Sequence, residues 1–164
     1  MDKFRFGLIV ALVSAMVNTA APSVAQSEPI ILTIDGKVAG GHPVNFTRSE
    51  LIALGTSSIT TSTPWNEGTP TFEGVPMSVL LAEVGATGSA AEILALNNYK
   101  TSIPVSDFAD YPVILALKKD GEFLAVRDKG PLFVVYPFDA SSELAADIYY
   151  SRAAWQVRKI TITN

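Results

Sequence analysis

Residues 127–137 read Arg-Asp-Lys-Gly-Pro-Leu-Phe-Val-Val-Tyr-Pro, and this stretch is the most informative part of the chain. Three charged residues precede a Gly-Pro pair, which favours a turn whose backbone can approach another group closely. The residues from Leu132 to Tyr136 are then almost continuously apolar, as is typical of a buried strand. The stretch therefore predicts a charged turn that leads directly into the core.

The sequence on either side of this stretch predicts further regular elements. Near the end, Ile160 and Ile162 alternate with Lys159 and Thr161, which predicts a strand over 157–163 with one apolar face. A helix is predicted after Pro76, because Met77, Leu80, Leu81 and Val84 share one face at helical spacing. A capping box, formed by Thr47 and Glu50, predicts a second helix that ends near Gly55.

Several short runs of apolar or β-branched residues predict additional strands. They lie at 30–34, 59–63, 93–96, 101–105, 113–117 and 122–125. Many short strands combined with a few short helices predict an α+β domain with a mixed, curled sheet.

The first residues have the pattern of a secretory signal. Lys3 and Arg5 precede a twelve-residue apolar run, and Ala25 completes a small-residue cleavage site. That run is shorter than the ~20 residues that a membrane-spanning helix needs. We therefore expect residues 1–25 to be a cleaved signal peptide and residues 26–164 to form a single exported, periplasmic domain without stable membrane insertion.

Composition excludes several classes of function. The net charge of −4 argues against binding to nucleic acid, because an acidic surface repels phosphate backbones. The chain has no cysteine and only one histidine, His42, in a Gly-Gly-His-Pro turn. Thiolate or multi-histidine metal sites are therefore not expected. A Ser-His-Asp system would depend on that single loop histidine, and we expect no catalytic residues of this kind.

Two blocks carry a resemblance to a known family. The stretch at 127–137 and the block Trp-Gln-Val-Arg-Lys-Ile at 155–160, together with Trp65 and the segment 72–77, resemble the molybdopterin-binding domain of the sulfite-oxidase family. The resemblance implies that fold over nearly the whole chain. In that family, a cysteine thiolate and the dithiolene of the pterin cofactor hold molybdenum, whereas this chain has Thr and Ser at 60–63 in the corresponding strand.

The resemblance also implies which residues face a ligand. Lys129 stands where the family enzymes have histidine, and Phe133 stands where they have the arginine that clamps the cofactor's terminal phosphate. A simpler, reduced pterin without molybdenum would not need that clamp. Three kinds of group are expected to bind a ligand: hydroxyls of the strand that corresponds to the cysteine position, aromatic rings that can stack on a flat heterocycle, and polar groups near the cofactor's tail. The expected ligand-binding set is Thr61, Thr63, Trp65, Asn97, Tyr99, Arg127, Asp128, Lys129, Ser151, Arg152 and Trp155.

Three functions remain open at this point. Small exported relatives without cysteine resemble non-catalytic pterin-binding proteins, which implies a partner such as the periplasmic domain of a membrane-bound signalling protein that makes or degrades cyclic di-GMP. A molybdopterin-dependent oxidoreductase subunit is the alternative from another class. The third possibility is an exported scaffold with a vestigial pocket, which predicts no small ligand.

Overall fold

The computed structural model describes residues 27–164, so the expected signal peptide lies outside the described residues. Their regular elements are, in chain order, β1 (Ile30–Gly36), β2 (Val44–Thr47), α1 (Arg48–Ala53), β3 (Ser57–Thr60), β4 (Thr71–Pro76), α2 (Met77–Glu83), β5 (Ala90–Ala95), β6 (Lys100–Pro104), α3 (Asp107–Asp110), β7 (Ile114–Lys119), β8 (Glu122–Phe123), β9 (Phe133–Val135), α4 (Asp147–Arg152) and β10 (Val157–Thr163). Among these helices, none is long and apolar enough to cross a membrane.

The first sheet has five strands in the order β2-β1-β10-β5-β6. It is mixed, because β1 and β10 run parallel while the other neighbours are antiparallel. The predicted alternation of β10 buries Ile160 and Ile162. Val157, which the same alternation puts beside Lys159 on the polar face, is instead fully buried. A register irregularity between Val157 and Lys159 is the cause, since a bulge changes the face on which the following side chains lie.

The second sheet has the order β3-β4-β7-β8, and β9 also pairs with β7. Residues from both sheets meet in one core, which includes Ile93 and Ile160 from the first sheet and Phe72 and Leu115 from the second. Strands β4 and β7 are very close at Gly74, where a Cβ atom would lie 2.1 Å from the Leu115 carbonyl oxygen. The α+β class with a mixed sheet and a few short helices is confirmed, with the strands divided between two sheets.

Four elements were not predicted from the sequence: β2, β4, α3 and α4. The omission of β4 has a physical reason, because its sequence Thr-Phe-Glu-Gly-Val-Pro contains the two residues that most often interrupt strands. The strand predicted at 59–63 is wrong in its second half. It is observed as Ser57–Thr60, and in the loop that follows, the hydroxyls of Thr61 and Thr63 bond to Asp139 and Asn66.

Candidate functional site

A cavity of about 280 Å³ lies between the loop after β3, the turn between β5 and β6, and the segment from α4 to β10. Most of its surface is apolar. The cavity is lined by Trp65, Asn97, Tyr99, Tyr150, Ser151, Ala153, Ala154 and Trp155. Five of the eight belong to the ligand-binding set expected from the sequence, and the structure thus brings together residues from three distant parts of the chain.

Trp65 is the central ring of this site. Its indole makes edge-to-face contacts with Trp155 at a centroid distance of 5.2 Å and with Tyr150 at 5.9 Å. It also contacts the buried rings of Phe133 and Phe138 at 6.0 and 6.4 Å. Because these contacts fix the indole from several directions, Trp65 serves at once as a packing residue and as a wall of the cavity.

The loop that carries Trp65 is held by hydroxyl groups. The Thr63 Oγ1 atom accepts hydrogen bonds from the Asn66 side chain at 2.8 Å and from the Trp65 backbone N–H at 3.3 Å. The Thr61 Oγ1 atom accepts from the Asp139 backbone N–H at 3.1 Å and donates to the Ser62 carbonyl at 3.3 Å. Thr61 is fully buried. Neither threonine lines the cavity, and their role in ligand binding stays a prediction.

Asp139 fastens the same loop from the other side. Its carboxylate accepts hydrogen bonds from the hydroxyl and the backbone N–H of Ser62, the latter at 2.6 Å. These two hydrogen bonds hold the pKa of Asp139 below its ordinary value, and the bond from the Ser62 hydroxyl has the larger effect. The loop in which the family's cysteine is expected is thus held by hydrogen bonds among hydroxyl, carboxylate and backbone groups.

Asn97 and Tyr99 close one end of the cavity. The Asn97 side-chain oxygen accepts a hydrogen bond from the Tyr99 backbone N–H at 3.0 Å, which shapes the β5–β6 turn. The Tyr99 hydroxyl donates to the Ser151 carbonyl oxygen at 2.7 Å and so joins this turn to α4. A ligand in the cavity would therefore meet the Tyr99 ring, while the hydroxyl proton is already engaged.

The charged turn at 127–129 reaches the site through Lys129. The Lys129 ammonium lies 5.8 Å from the centroid of the Trp155 ring, within the range of a cation–π contact. Arg127 and Asp128 form an ion pair at 3.4 Å, and their side chains are 88% and 56% exposed. Neither is among the residues that line the cavity. Gly130 is required beside this turn, since a Cβ atom there would lie 2.2 Å from the Leu124 carbonyl oxygen.

Arg152 takes part in a buried network behind the cavity. Its Nη1 atom donates to Asp107 Oδ2 at 2.9 Å, and the Tyr136 hydroxyl donates to the same oxygen at 2.7 Å. Burial raises the pKa of Tyr136, and the hydrogen bond to Asp107 raises it further. The network fixes α4, whose Tyr150 and Ser151 line the cavity.

Sequence reasoning missed Asp107 and three residues that line the cavity, Tyr150, Ala153 and Ala154. Tyr150 carried a usable signal, because it directly precedes Ser151, which the resemblance had already assigned to the site. Asp107 carried none, since an isolated acidic residue does not reveal its partner. The alanines matter because small side chains leave the space that the cavity occupies.

A larger concavity of about 450 Å³ lies on the outer face of the first sheet. It includes Glu92, Lys100 and Lys159, and none of the residues expected to bind a ligand. This surface is open, whereas the smaller cavity has aromatic walls and a few converging polar groups. The smaller cavity is therefore the better candidate for a binding site.

Comparison with known proteins assigns the family. A family model described as the oxidoreductase molybdopterin binding domain matches residues 20–142, well over half of the chain. The chain belongs to this family. The match to the molybdopterin-binding family ends before Tyr150 and Trp155, so one wall of the cavity lies beyond the matched region.

A solved structure of the same fold is the sulfane dehydrogenase SoxCD from Paracoccus pantotrophus, which is similar with a TM-score of 0.59 and 23% sequence identity. The similarity covers 80% of this chain and 37% of the SoxCD chain. At this identity it shows the fold alone. The search of curated proteins found no match.

The residues present do not fit the metal of the family's cofactor. The sequence contains no cysteine. Among residues 27–164, no group of three His, Cys, Asp or Glu side chains could hold a metal ion. The buried Thr61 hydroxyl is already engaged in two hydrogen bonds, so it is a poor substitute for the thiolate.

Proposed function

We propose that this protein binds a reduced pterin, without molybdenum, in the cavity lined by Trp65, Tyr99 and Trp155, and that it acts as a binding protein and not as an enzyme. The observation that carries the proposal is an aromatic cavity in a member of a pterin-cofactor family that lacks the family's thiolate ligand. A flat bicyclic ring gains most from aromatic walls with a few fixed polar groups.

The size of the cavity supports a small ligand. Its volume of about 280 Å³ is near the lower end, roughly 300 Å³, of cavities that hold small organic molecules. Phe133 stands where the resemblance places the phosphate-clamping arginine, and it is fully buried in the core. Lys129 is thus the cation in direct contact with the cavity's wall. A pterin with a short polar side chain suits this arrangement better than a phosphorylated cofactor.

The site of action and the partner are also part of the proposal. The positively charged start, apolar run and cleavage site within residues 1–25 support export to the periplasm. A binding protein that acts on no substrate exerts its effect through another protein. We infer that the loaded form is recognised by the periplasmic domain of a membrane-bound signalling protein, one that controls the level of cyclic di-GMP.

The identity of the ligand can be tested directly. The protein is purified natively from the periplasm, small molecules are released by denaturation and identified by mass spectrometry, and molybdenum is measured by elemental analysis. The expected result is a reduced pterin at near-stoichiometric amount without molybdenum. One molybdenum per chain would instead support the oxidoreductase alternative. Absence of any bound small molecule, together with no heat on titration with pterins, would support the scaffold reading.

A further inference from the structure

A third concavity, of about 200 Å³, also includes a residue of the β5–β6 turn, Leu96. We call it the apolar groove; it is lined by Ile30, Ile31, Leu32, Thr33, Leu96, Val126, Pro131, Val157 and Arg158. Ile30, Leu96 and Val126 are 58%, 45% and 52% exposed. Solvent-exposed apolar side chains gathered around one groove mark an interaction surface more often than isolated ones do.

The charge around the groove differs from that of the whole protein. The chain carries a net charge of −4, yet the charged residue that lines the groove is Arg158, while the neighbouring Arg127 is paired with Asp128 and adds no net charge. Arg158 Nη2 bonds at 3.3 Å to the amide oxygen of Asn98, which is a neutral group. Of the described residues that line the groove, none is acidic. The surface is therefore complementary to a segment that combines apolar side chains with a carboxylate.

The groove and the cavity share the β5–β6 turn and the segment that leads into β10, and the charged turn lies next to both. In the β5–β6 turn, Leu96 lines the groove, whereas Asn97 and Tyr99 line the cavity. Val126, directly before the charged turn, lines the groove, and Lys129 of that turn lies over the Trp155 ring. At the start of β10, the chain passes from the cavity at Trp155 to the groove at 157–158.

Gln156 joins these three segments. Its side-chain Nε2 donates to the Val126 carbonyl at 2.8 Å, and its backbone N–H donates to the Lys129 carbonyl at 3.0 Å. Its own carbonyl accepts from the Leu96 backbone N–H at 2.8 Å. The residue has a φ of 56°, in the left-handed region, so its backbone is held there by its surroundings. A shift of either turn on ligand binding would be transmitted through Gln156 to the groove.

We propose that the apolar groove docks an extended, acidic and apolar segment of a partner protein, and that ligand in the cavity changes the affinity for this segment through Gln156. The effect of the ligand on the affinity for the segment rests on the proposed pterin-binding function, whereas the docking itself does not. The coupling is reciprocal, so the segment must alter pterin affinity by the same factor.

The docking is tested with a phage-displayed random peptide library selected on the full-length protein. Enriched peptides should contain Asp or Glu beside apolar residues. In fluorescence anisotropy, Val126→Asp and Arg158→Glu should each weaken a synthetic enriched peptide by about tenfold or more. Val79→Asp is the matched control, because Val79 is exposed on α2 and does not line the groove, and it should leave binding unchanged.

Two results would overturn the docking proposal. One is a set of enriched peptides that bind the wild type and both groove variants equally. The other is a concentration-dependent dimer in sedimentation that Val126→Asp dissociates, since a second copy of this chain would then be the occupant. Circular dichroism of each variant excludes misfolding as a cause, which is a modest risk because both substituted side chains are exposed.

The coupling is tested by measuring the affinity of the same peptide with and without a methyl-substituted tetrahydropterin. A change of about threefold or more in the wild type, abolished in Gln156→Ala, supports it. Equal peptide affinity with and without bound pterin overturns it. If no pterin binds at all, the proposed function fails, and peptide binding to the protein without ligand still tests the docking. If the groove variants do not change peptide binding, the docking is rejected, and pterin binding is unaffected by that result.

Discussion

Asp107→Asn is the substitution that most directly tests how the site is supported. Asp107 Oδ2 accepts hydrogen bonds from Tyr136 at 2.7 Å and from Arg152 at 2.9 Å, and the two charged side chains are 9% and 17% exposed. The Arg152 Nε atom is buried without a hydrogen-bond partner among the described residues. Asp107 is thus the group that compensates the largely buried guanidinium.

The magnitude follows from the burial of the pair. Removing one member of a buried ion pair costs about 3–5 kcal/mol, because the other charge stays in a poorly solvated place. The amide oxygen still accepts from Tyr136, and Arg152 keeps some access to water, so we expect roughly 2–3 kcal/mol. At about 3 °C per kcal/mol for a domain of this size, the melting temperature should fall by about 6–9 °C.

The assay is thermal unfolding followed by circular dichroism, with Asp128→Asn as the matched control. Asp128 is paired with Arg127 on the surface, where an ion pair contributes at most ~1 kcal/mol, so this variant should melt almost as the wild type does. Well below the melting temperature, Asp107→Asn should also weaken pterin binding, since it loosens the helix that carries Tyr150 and Ser151. Equal melting temperatures for the two variants would refute the reasoning.

Three further predictions concern the cavity and the sheet. Trp65→Phe should lower pterin affinity by about 1 kcal/mol, measured by calorimetry, because a smaller ring covers less of the ligand. Lys129→Ala should weaken binding of a pterin by about 1 kcal/mol. Arg127→Ala should have a smaller effect, because the Arg127 side chain is 88% exposed. Equal losses of pterin affinity in the two variants would place both side chains at the ligand. Partial burial acts to raise the pKa of Asp35, but hydrogen bonds from Lys159 and Thr161 and the Lys159 charge outweigh it and lower the pKa. The ionised Asp35 carboxylate therefore stabilises the fold at pH values above its unfolded pKa of about 3.9, and this stabilisation is lost as the pH falls through the folded pKa. The melting temperatures of the wild type and Asp35→Asn should therefore differ near neutral pH and converge in strong acid.

The sequence predicts the parts of the fold that depend on local patterns. The helix at Met77–Glu83 and the capping box at Thr47 are confirmed, because side-chain periodicity and capping are properties of neighbouring residues. The bulge that buries Val157 was not predictable in this way, since it arises from how β10 pairs with β5. Strand β4 was missed for a related reason: Gly74 is needed for the close approach to β7, a contact between distant parts of the chain.

The site shows the same division. The aromatic residues Trp65, Tyr99 and Trp155 were expected at a ligand from their types and from the resemblance, and the structure brings all three to one cavity. The network of Asp107, Tyr136 and Arg152 was not expected, because no local pattern links residues so far apart in the chain.

The cavity is built from residues inside and beyond the region that the family model matches. Trp65, Asn97 and Tyr99 lie within the matched region, whereas the rest of the lining follows it in α4 and in the segment leading to β10. Strand β10 is the centre of the first sheet, between β1 and β5, so the core anchors the chain directly after Trp155 and Gln156. The loop that carries Trp65 is fixed to Asp139 by hydrogen bonds of Ser62 and Thr61. An aromatic lining held in place by the core and by hydrogen bonds, with a few polar groups beside it, offers a surface on which a flat organic ring can stack.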